Sequence, residues 1–142
     1  SDTLVSDLSI SIYFDINKHV DTILYHSITM LDMEKTKYNL PISKENLAYQ
    51  NILFDMAEII RFNLDEKLSL MNDINSMKNA HQVAQKDLKA LIYRYNRETK
   101  KGQDLDALKV WNDRVLDRTG IDSFKIFDIR YKPKKKKDKK VK

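Results

Sequence analysis

Lysines near the C-terminus are the residues of this 142-residue chain whose type and spacing point most clearly to chemistry. Residues 134–142 hold seven lysines and one aspartate. Ammonium groups at this density replace the cations condensed on nucleic-acid phosphates, which gives an affinity that falls with salt and ignores base sequence. The segment therefore predicts contact with nucleic acid. A solubilising tail, or one that binds an acidic protein or an anionic lipid, is the alternative interpretation of the same charge.

A second basic cluster lies around residue 97. Arg94, Arg97 and Lys101 are three and four residues apart, which places them on one face of a helix. Complementarity to the helix dipole explains such a cluster as well as ligand binding does. The side chains that we predict to contact nucleic acid are Arg94, Arg97, Lys100, Lys101, Arg130, Lys132, Lys134, Lys135, Lys136, Lys137, Lys139, Lys140 and Lys142.

The sequence contains no pattern that is typical of an enzyme active site. His19 and His26 are seven residues apart and lack the four-residue spacing with which two helical histidines hold one metal ion. The absence of cysteine removes thiolate zinc sites and thiol nucleophiles, and two isolated glycines cannot form a phosphate-binding loop. We therefore predict a non-enzymatic protein with no catalytic residue, no metal site and no cofactor.

The net charge of +5 is unevenly distributed along the chain. Residues 130–142 hold nine of the 26 Lys and Arg and one of the 21 Asp and Glu, so the preceding residues are mildly acidic. The first residues are acidic where a signal peptide is basic, and no apolar run approaches the length of a membrane span. We expect a cytoplasmic protein, in the host cytoplasm or virion if it is viral, with no membrane partner.

Apolar residues in 8–38 follow two different periods. Strict alternation over 8–16 is the period of a strand, whereas steps of three and four over 12–31 line one stripe of a helix. The longer run favours a helix over about 10–38. Pro41 disfavours helical dihedrals at the residue before it, so the helix is expected to end there.

A second helix is predicted from Lys44, with Ser43 as its N-cap. Its apolar stripe continues to Tyr95 without Gly or Pro, which fits one very long helix or two stacked helices with a kink expected in 72–81. A stripe this long is typical of a coiled-coil-like interface between subunits. We therefore predict a homo-oligomer. The predicted interface residues are Leu64, Leu68, Met71, Leu88, Leu91 and Tyr95.

The last third of the sequence predicts a short helix, a strand and a tail. Asp104 and Gly120 are favourable caps for a helix over 104–119. Aromatic and β-branched residues over 124–131 favour a single strand. The lysines beyond Pro133 repel one another and cannot be buried, so we expect them to be disordered.

These elements together predict an all-α fold. Long antiparallel helices would form an oligomeric helical bundle, with a short C-terminal strand and a disordered basic tail. The expected divisions are a helical oligomerisation domain over 1–120, an extended strand-like segment over 121–132 and a lysine-rich tail over 133–142. Only two glycines and two prolines are present, which excludes a β-sandwich or barrel because those folds need many turns.

Residues 106–120 resemble the closing helix of bacteriophage small terminase subunits. That helix often ends in a Leu-Asp-Arg-Ala/Thr-Gly string, and here residues 116–120 read Leu-Asp-Arg-Thr-Gly. The resemblance covers about 15 residues and implies a ring-forming subunit that presents viral DNA to a large terminase subunit. The departure from the family is at the N-terminus, where no helix-turn-helix module is recognisable, so sequence-specific DNA binding is not expected.

The sequence as a whole predicts a non-enzymatic, oligomeric DNA-binding component. A more specific prediction is a viral DNA-packaging subunit similar to small terminase subunits. Its partners would be DNA phosphates, further copies of the chain, and a large terminase subunit or other assembly proteins. The alternative is a structural helical subunit of a virion or ribonucleoprotein assembly. In that case the basic tail would contact nucleic acid or an acidic partner.

Overall fold

The computed structural model describes residues 5–133 and shows a mixed α/β fold. The elements in chain order are β1 (Ser6–Asp7), β2 (Ile10–His19), β3 (Thr22–Leu31), β4 (Lys37–Tyr38), α1 (Lys44–Leu68), α2 (Ile74–Thr99), α3 (Leu105–Thr119) and α4 (Ser123–Ile126). The strands form two antiparallel pairs, β1 with β4 and β2 with β3. The prediction of an all-α fold is therefore wrong.

A long β-hairpin occupies the region predicted to be the first helix. Strands β2 and β3 pair from Ile10 opposite Leu31 to His19 opposite Thr22, so a two-residue turn joins them. Alternation continues through β2, and its apolar side chains share one face of the hairpin. The prediction of a helix over 10–38 is wrong. In β3, apolar residues lie on both faces of the hairpin, so steps of three and four can be read through β2 and β3 together.

The apolar stripe over 44–95 folds as two helices joined by a turn at 69–73. The Ser43 side chain accepts from the Asn46 N–H at 3.1 Å, which confirms the predicted cap of α1. Asp73 caps α2 in the same way, accepting from the Ser76 N–H at 2.9 Å. The two-helix alternative is thus the correct one, and the break between the helices overlaps the segment in which a kink was expected, 72–81, only at residues 72–73. Within residues 5–133 no helix is both long enough and apolar enough to cross a membrane.

One part of the core is built around stacked tyrosines. The rings of Tyr49 in α1 and Tyr95 in α2 are stacked with centroids 5.1 Å apart, and Trp111 of α3 meets Tyr95 edge-on. The Tyr95 hydroxyl donates to the Tyr49 carbonyl at 2.8 Å, and the Tyr49 hydroxyl donates to the Asn96 side chain. Burial raises the pKa of Tyr95 well above its ordinary value. The three longest helices are joined by these aromatic contacts.

The other part of the core lies between the hairpin and the first two helices. Strand β3 lies against α1 and strand β2 against α2. Ile12 is fully buried there among residues of both helices. The Gln85 side chain also bonds both main-chain groups of Ile12, each at 3.0 Å, and His81 contacts the same carbonyl at 2.6 Å. The hairpin is therefore held to α2 by polar as well as apolar contacts.

The side chains predicted to join subunits lie within this single-chain core. Leu64, Leu68, Leu88 and Tyr95 are at most 2% exposed, and Met71 and Leu91 are partly buried. The apolar side chains of α1 and α2 pack against each other within one chain, because α2 folds back on α1. A contact between copies would therefore need a different surface.

The region after α2 agrees with prediction up to residue 120 and departs from it afterwards. The Asp104 side chain accepts from the Ala107 N–H, and Gly120 has a φ of 76°, which confirms both predicted caps of α3. No strand is present in 121–133, so the predicted strand is wrong. The Asn112 side chain accepts from the N–H of Ser123 at 2.9 Å, and Phe124 is buried. A short helix therefore buries Phe124, an aromatic residue that had been predicted to lie in a strand.

The hairpin turn gives a test of this architecture. Val20 has a φ of 57°, a conformation that costs a β-branched residue about 1–2 kcal/mol. Val20→Gly is expected to raise the free energy of unfolding in urea by about 0.5–1 kcal/mol, since glycine accepts this φ but loses more entropy on folding. Val20 is 78% exposed, so the substitution removes little packing.

The control for this variant is Val20→Ala, which also removes the exposed side chain but keeps the Cβ that causes the strain. Equal stability of the glycine and alanine variants would contradict the assigned turn geometry.

Candidate nucleic-acid interface

The predicted basic cluster lies at the C-terminal end of α2. Arg94 and Arg97 are in its last turns, while Lys100 and Lys101 follow it with left-handed φ values of 50° and 54°. All four side chains are exposed. The Lys101 N–H donates to the Asn96 carbonyl at 2.9 Å, so the left-handed residues continue the hydrogen bonding of the helix end. We refer to Arg97, Lys100 and Lys101 as the basic corner.

Gly102 fixes the position of the basic corner. Its φ is 86°, and a Cβ at this position would lie 2.7 Å from the Cγ of the Tyr49 ring. The Gly102 N–H donates to the Thr99 hydroxyl at 3.1 Å, and Thr99 is fully buried. The chain thus turns from α2 toward α3 directly against the aromatic core, and only glycine leaves room for that approach.

Arg94 takes part in a contact between α2 and α3. Its Nε donates to Glu98 at 3.1 Å, and its guanidinium lies 5.3 Å from the centre of the Trp111 ring. The guanidinium of Arg114 lies over the same ring at 4.8 Å. The hydrogen bond from Arg94, with smaller contributions from Trp111 and Arg114, lowers the pKa of Glu98. Arg94 is therefore partly neutralised, whereas Arg97 of the basic corner lies over Tyr93 and has no salt bridge among residues 5–133.

Arg114 was not among the residues predicted to contact nucleic acid. The spacing of Trp111, Arg114 and Arg118 at three and four residues was the available signal, because it places the three side chains on one face of α3. Arg114 and Arg118 are both exposed. Lys109 is different: its ammonium bonds Asp113 at 2.5 Å and lies over the Phe124 ring, so it joins α3 to α4.

The chain returns to the basic corner at its C-terminal end. Lys132 and Lys100 line the same recess of about 500 Å³ between the start of α3 and the last described residues. The Tyr131 hydroxyl donates to Asp106 at 2.7 Å, which anchors the segment there and raises the pKa of Tyr131. Arg130 is exposed. The predicted contacts Lys134, Lys135, Lys136, Lys137, Lys139, Lys140 and Lys142 lie outside the described residues.

The charged groups around the recess differ in whether they already have a partner. Two acidic residues adjoin the recess, but Asp104 is used as the cap of α3 and Asp106 accepts from Tyr131. The guanidinium and ammonium groups of the basic corner are exposed to solvent. Among residues 5–133 no group of three or more His, Asp or Glu side chains is arranged to hold a metal ion.

The close approach of Gly102 to Tyr49 allows a test of what holds the basic corner in place. Gly102→Ala is expected to lower the free energy of unfolding by about 2–4 kcal/mol, because the added methyl group meets Tyr49 and the φ is unfavourable. Gly120→Ala is the matched control, since its φ is also positive at 76° but nothing lies within 4 Å of the added atom.

The control should be destabilised by only about 1 kcal/mol, the cost of the backbone conformation alone. Urea denaturation of both variants measures the difference. Destabilisation of the same size in both would show that contact with Tyr49 does not hold the corner in place.

Residues 116–120, which carry the resemblance to small terminase subunits, form the last turn and cap of α3. The Gly120 N–H donates to the Leu116 carbonyl at 2.8 Å, so the string has a local role in ending the helix. Comparisons of the chain with protein-family models, curated protein sequences and solved structures gave no match. The terminase resemblance therefore stays a prediction, and function is argued from the chain's own residues.

Proposed function

We propose that this chain is a non-enzymatic DNA-binding component that holds nucleic acid by its phosphates. The observation that carries the proposal is that Lys100 and Lys132 line one recess, because this places the basic corner beside a residue that directly precedes the lysine-rich segment in sequence. Two clusters that are more than 30 residues apart in sequence then act as one site. Its affinity is the sum of several phosphate contacts.

The distribution of charge along the sequence supports binding through its C-terminal third. Residues 94–142 hold 17 of the 26 Lys and Arg and 8 of the 21 Asp and Glu, whereas residues 1–93 are acidic overall. A polyanion is therefore attracted to the basic corner and repelled by the rest of the chain. Phosphate contacts of this kind position the partner without reading its bases.

The narrower form of the proposal is a viral DNA-packaging subunit acting in the host cytoplasm or virion. It rests on the resemblance of residues 116–120 to small terminase subunits. A large terminase subunit would be the additional partner. The alternative is a structural role with an acidic protein partner, in which the isolated chain would not bind duplex DNA.

The tail is tested by replacing its seven lysines, at 134–137, 139, 140 and 142, with glutamine in the full chain. Binding to duplex DNA should weaken, and the slope of log affinity against log salt should fall by about 0.9 for each phosphate that the tail no longer neutralises. Fluorescence anisotropy over a salt titration measures both quantities. Failure of the unaltered chain to bind duplex DNA at low salt would instead favour the structural role.

The basic corner is tested by the double variant Arg97→Gln with Lys101→Gln. We expect the salt slope to fall by about 2, because two phosphates are no longer neutralised. The control is Lys86→Gln with Lys89→Gln, which removes the same charge from exposed positions earlier in α2. A similar decrease of affinity in both double variants would show that net charge, and not the corner, determines binding.

A further inference from the structure

One edge of strand β2 is open beyond Ile12. Gln85 bonds the N–H and the carbonyl of Ile12, so both groups point away from β3. Main-chain groups of an antiparallel strand alternate in direction, with the same direction every second residue. The main-chain groups of Phe14, Ile16 and Lys18 therefore face the same open edge.

Nothing within residues 5–133 pairs with this edge. The sheet formed by β2 and β3 has two strands only, and the second small sheet involves other residues. The devices that commonly protect an edge are proline, a bulge, a covering loop or charged side chains. Of these, β2 has the Gln85 contact at Ile12 and two charged side chains, Asp15 and Lys18, but no proline and no covering loop among residues 5–133.

We infer that a second copy of this chain pairs with the open edge of β2. The two β2 strands run antiparallel about a two-fold axis at Ile16, and the two hairpins join into one four-stranded sheet. Phe14 then lies opposite Lys18 of the second copy, and Ile16 lies opposite Ile16. Every main-chain group of these three residues that faces the edge acquires a partner.

The side chains favour this register over its neighbours. Lys18 lies beside the ring of Phe14 of the second copy, and Asp15 lies opposite Asn17, so no like charges are directly opposed. An axis at Asp15 would place two carboxylates opposite each other, and an axis at Lys18 two ammonium groups. An axis at Asn17 would leave Phe14 opposite the turn residue Val20, where the strand has ended.

An axis at Phe14 is also excluded, because it would require Ile12 to pair with the second copy. The main-chain groups of Ile12 are already bonded to Gln85. The homo-oligomer would therefore form through the edge of β2 and not through the apolar stripe over 44–95. This pairing is independent of DNA binding.

The register is tested by disulfide formation, since the chain contains no cysteine. In the proposed pairing, Asp15 and Asn17 of the second copy form a pair whose Cα atoms are about 4.5 Å apart, within reach of a disulfide. A mixture of Asp15→Cys and Asn17→Cys chains should cross-link in dilute oxidised glutathione. Each chain alone should not.

Asp21→Cys, at the exposed turn, measures cross-linking by random collision. Cross-linking of the mixture no faster than this control would overturn the inference. Efficient cross-linking of Asn17→Cys or Asp15→Cys chains alone would overturn the proposed axis.

The main-chain pairing itself is tested by Ile16→Pro, which removes an N–H that faces the open edge and leaves the bonds to β3 in place. The matched control is Ile16→Ala, which removes the same apolar side chain but keeps the N–H. Sedimentation velocity should show a dimer for the unaltered chain and for Ile16→Ala, and a monomer for Ile16→Pro. A monomeric unaltered chain at high concentration, or a folded Ile16→Pro dimer, would refute the pairing.

Discussion

The placement of Tyr49 is the constraint on which most of the structure depends. Its ring stacks on Tyr95, its carbonyl accepts from the Tyr95 hydroxyl, and its own hydroxyl bonds Ser6 as well as Asn96. Strand β1, helix α1 and helix α2 therefore meet at one fully buried side chain. Each of its polar atoms has a partner, which is required because an unpaired polar group costs about 1–3 kcal/mol when it is buried.

The basic corner is a consequence of the same side chain. Gly102 lies close to the Cβ and Cγ of Tyr49, and this close approach sets where α2 ends and where Lys100 and Lys101 emerge. Tyr131, bonded to Asp106 near the start of α3, brings the end of the described chain to the same place. A buried aromatic contact thus determines which charges lie together on the surface, although none of the charged residues belongs to the core.

The parts of the fold that the sequence could predict are those with local signals. Ser43, Asp104 and Gly120 act through hydrogen bonds or dihedrals within a few residues, so their roles could be read without knowing the rest of the chain. The hairpin could not be recognised because its turn lacks the usual glycine, and Val20 takes a left-handed conformation that valine rarely adopts. The meeting of Lys100 with Lys132 depends on tertiary packing, which spacing does not reveal.

The order of the elements also has a consequence for how the chain reaches its native state. The β2–β3 hairpin and the α1–α2 pair each join neighbours through a short connection, two residues in one case and five in the other. Closing such loops costs little entropy, so both units can form early and by nearest-neighbour contacts. Docking of the strands onto the helices, through Ile12 and Gln85, is the step that brings distant parts of the sequence together. That docking, more than the formation of either unit, is expected to limit the rate of folding.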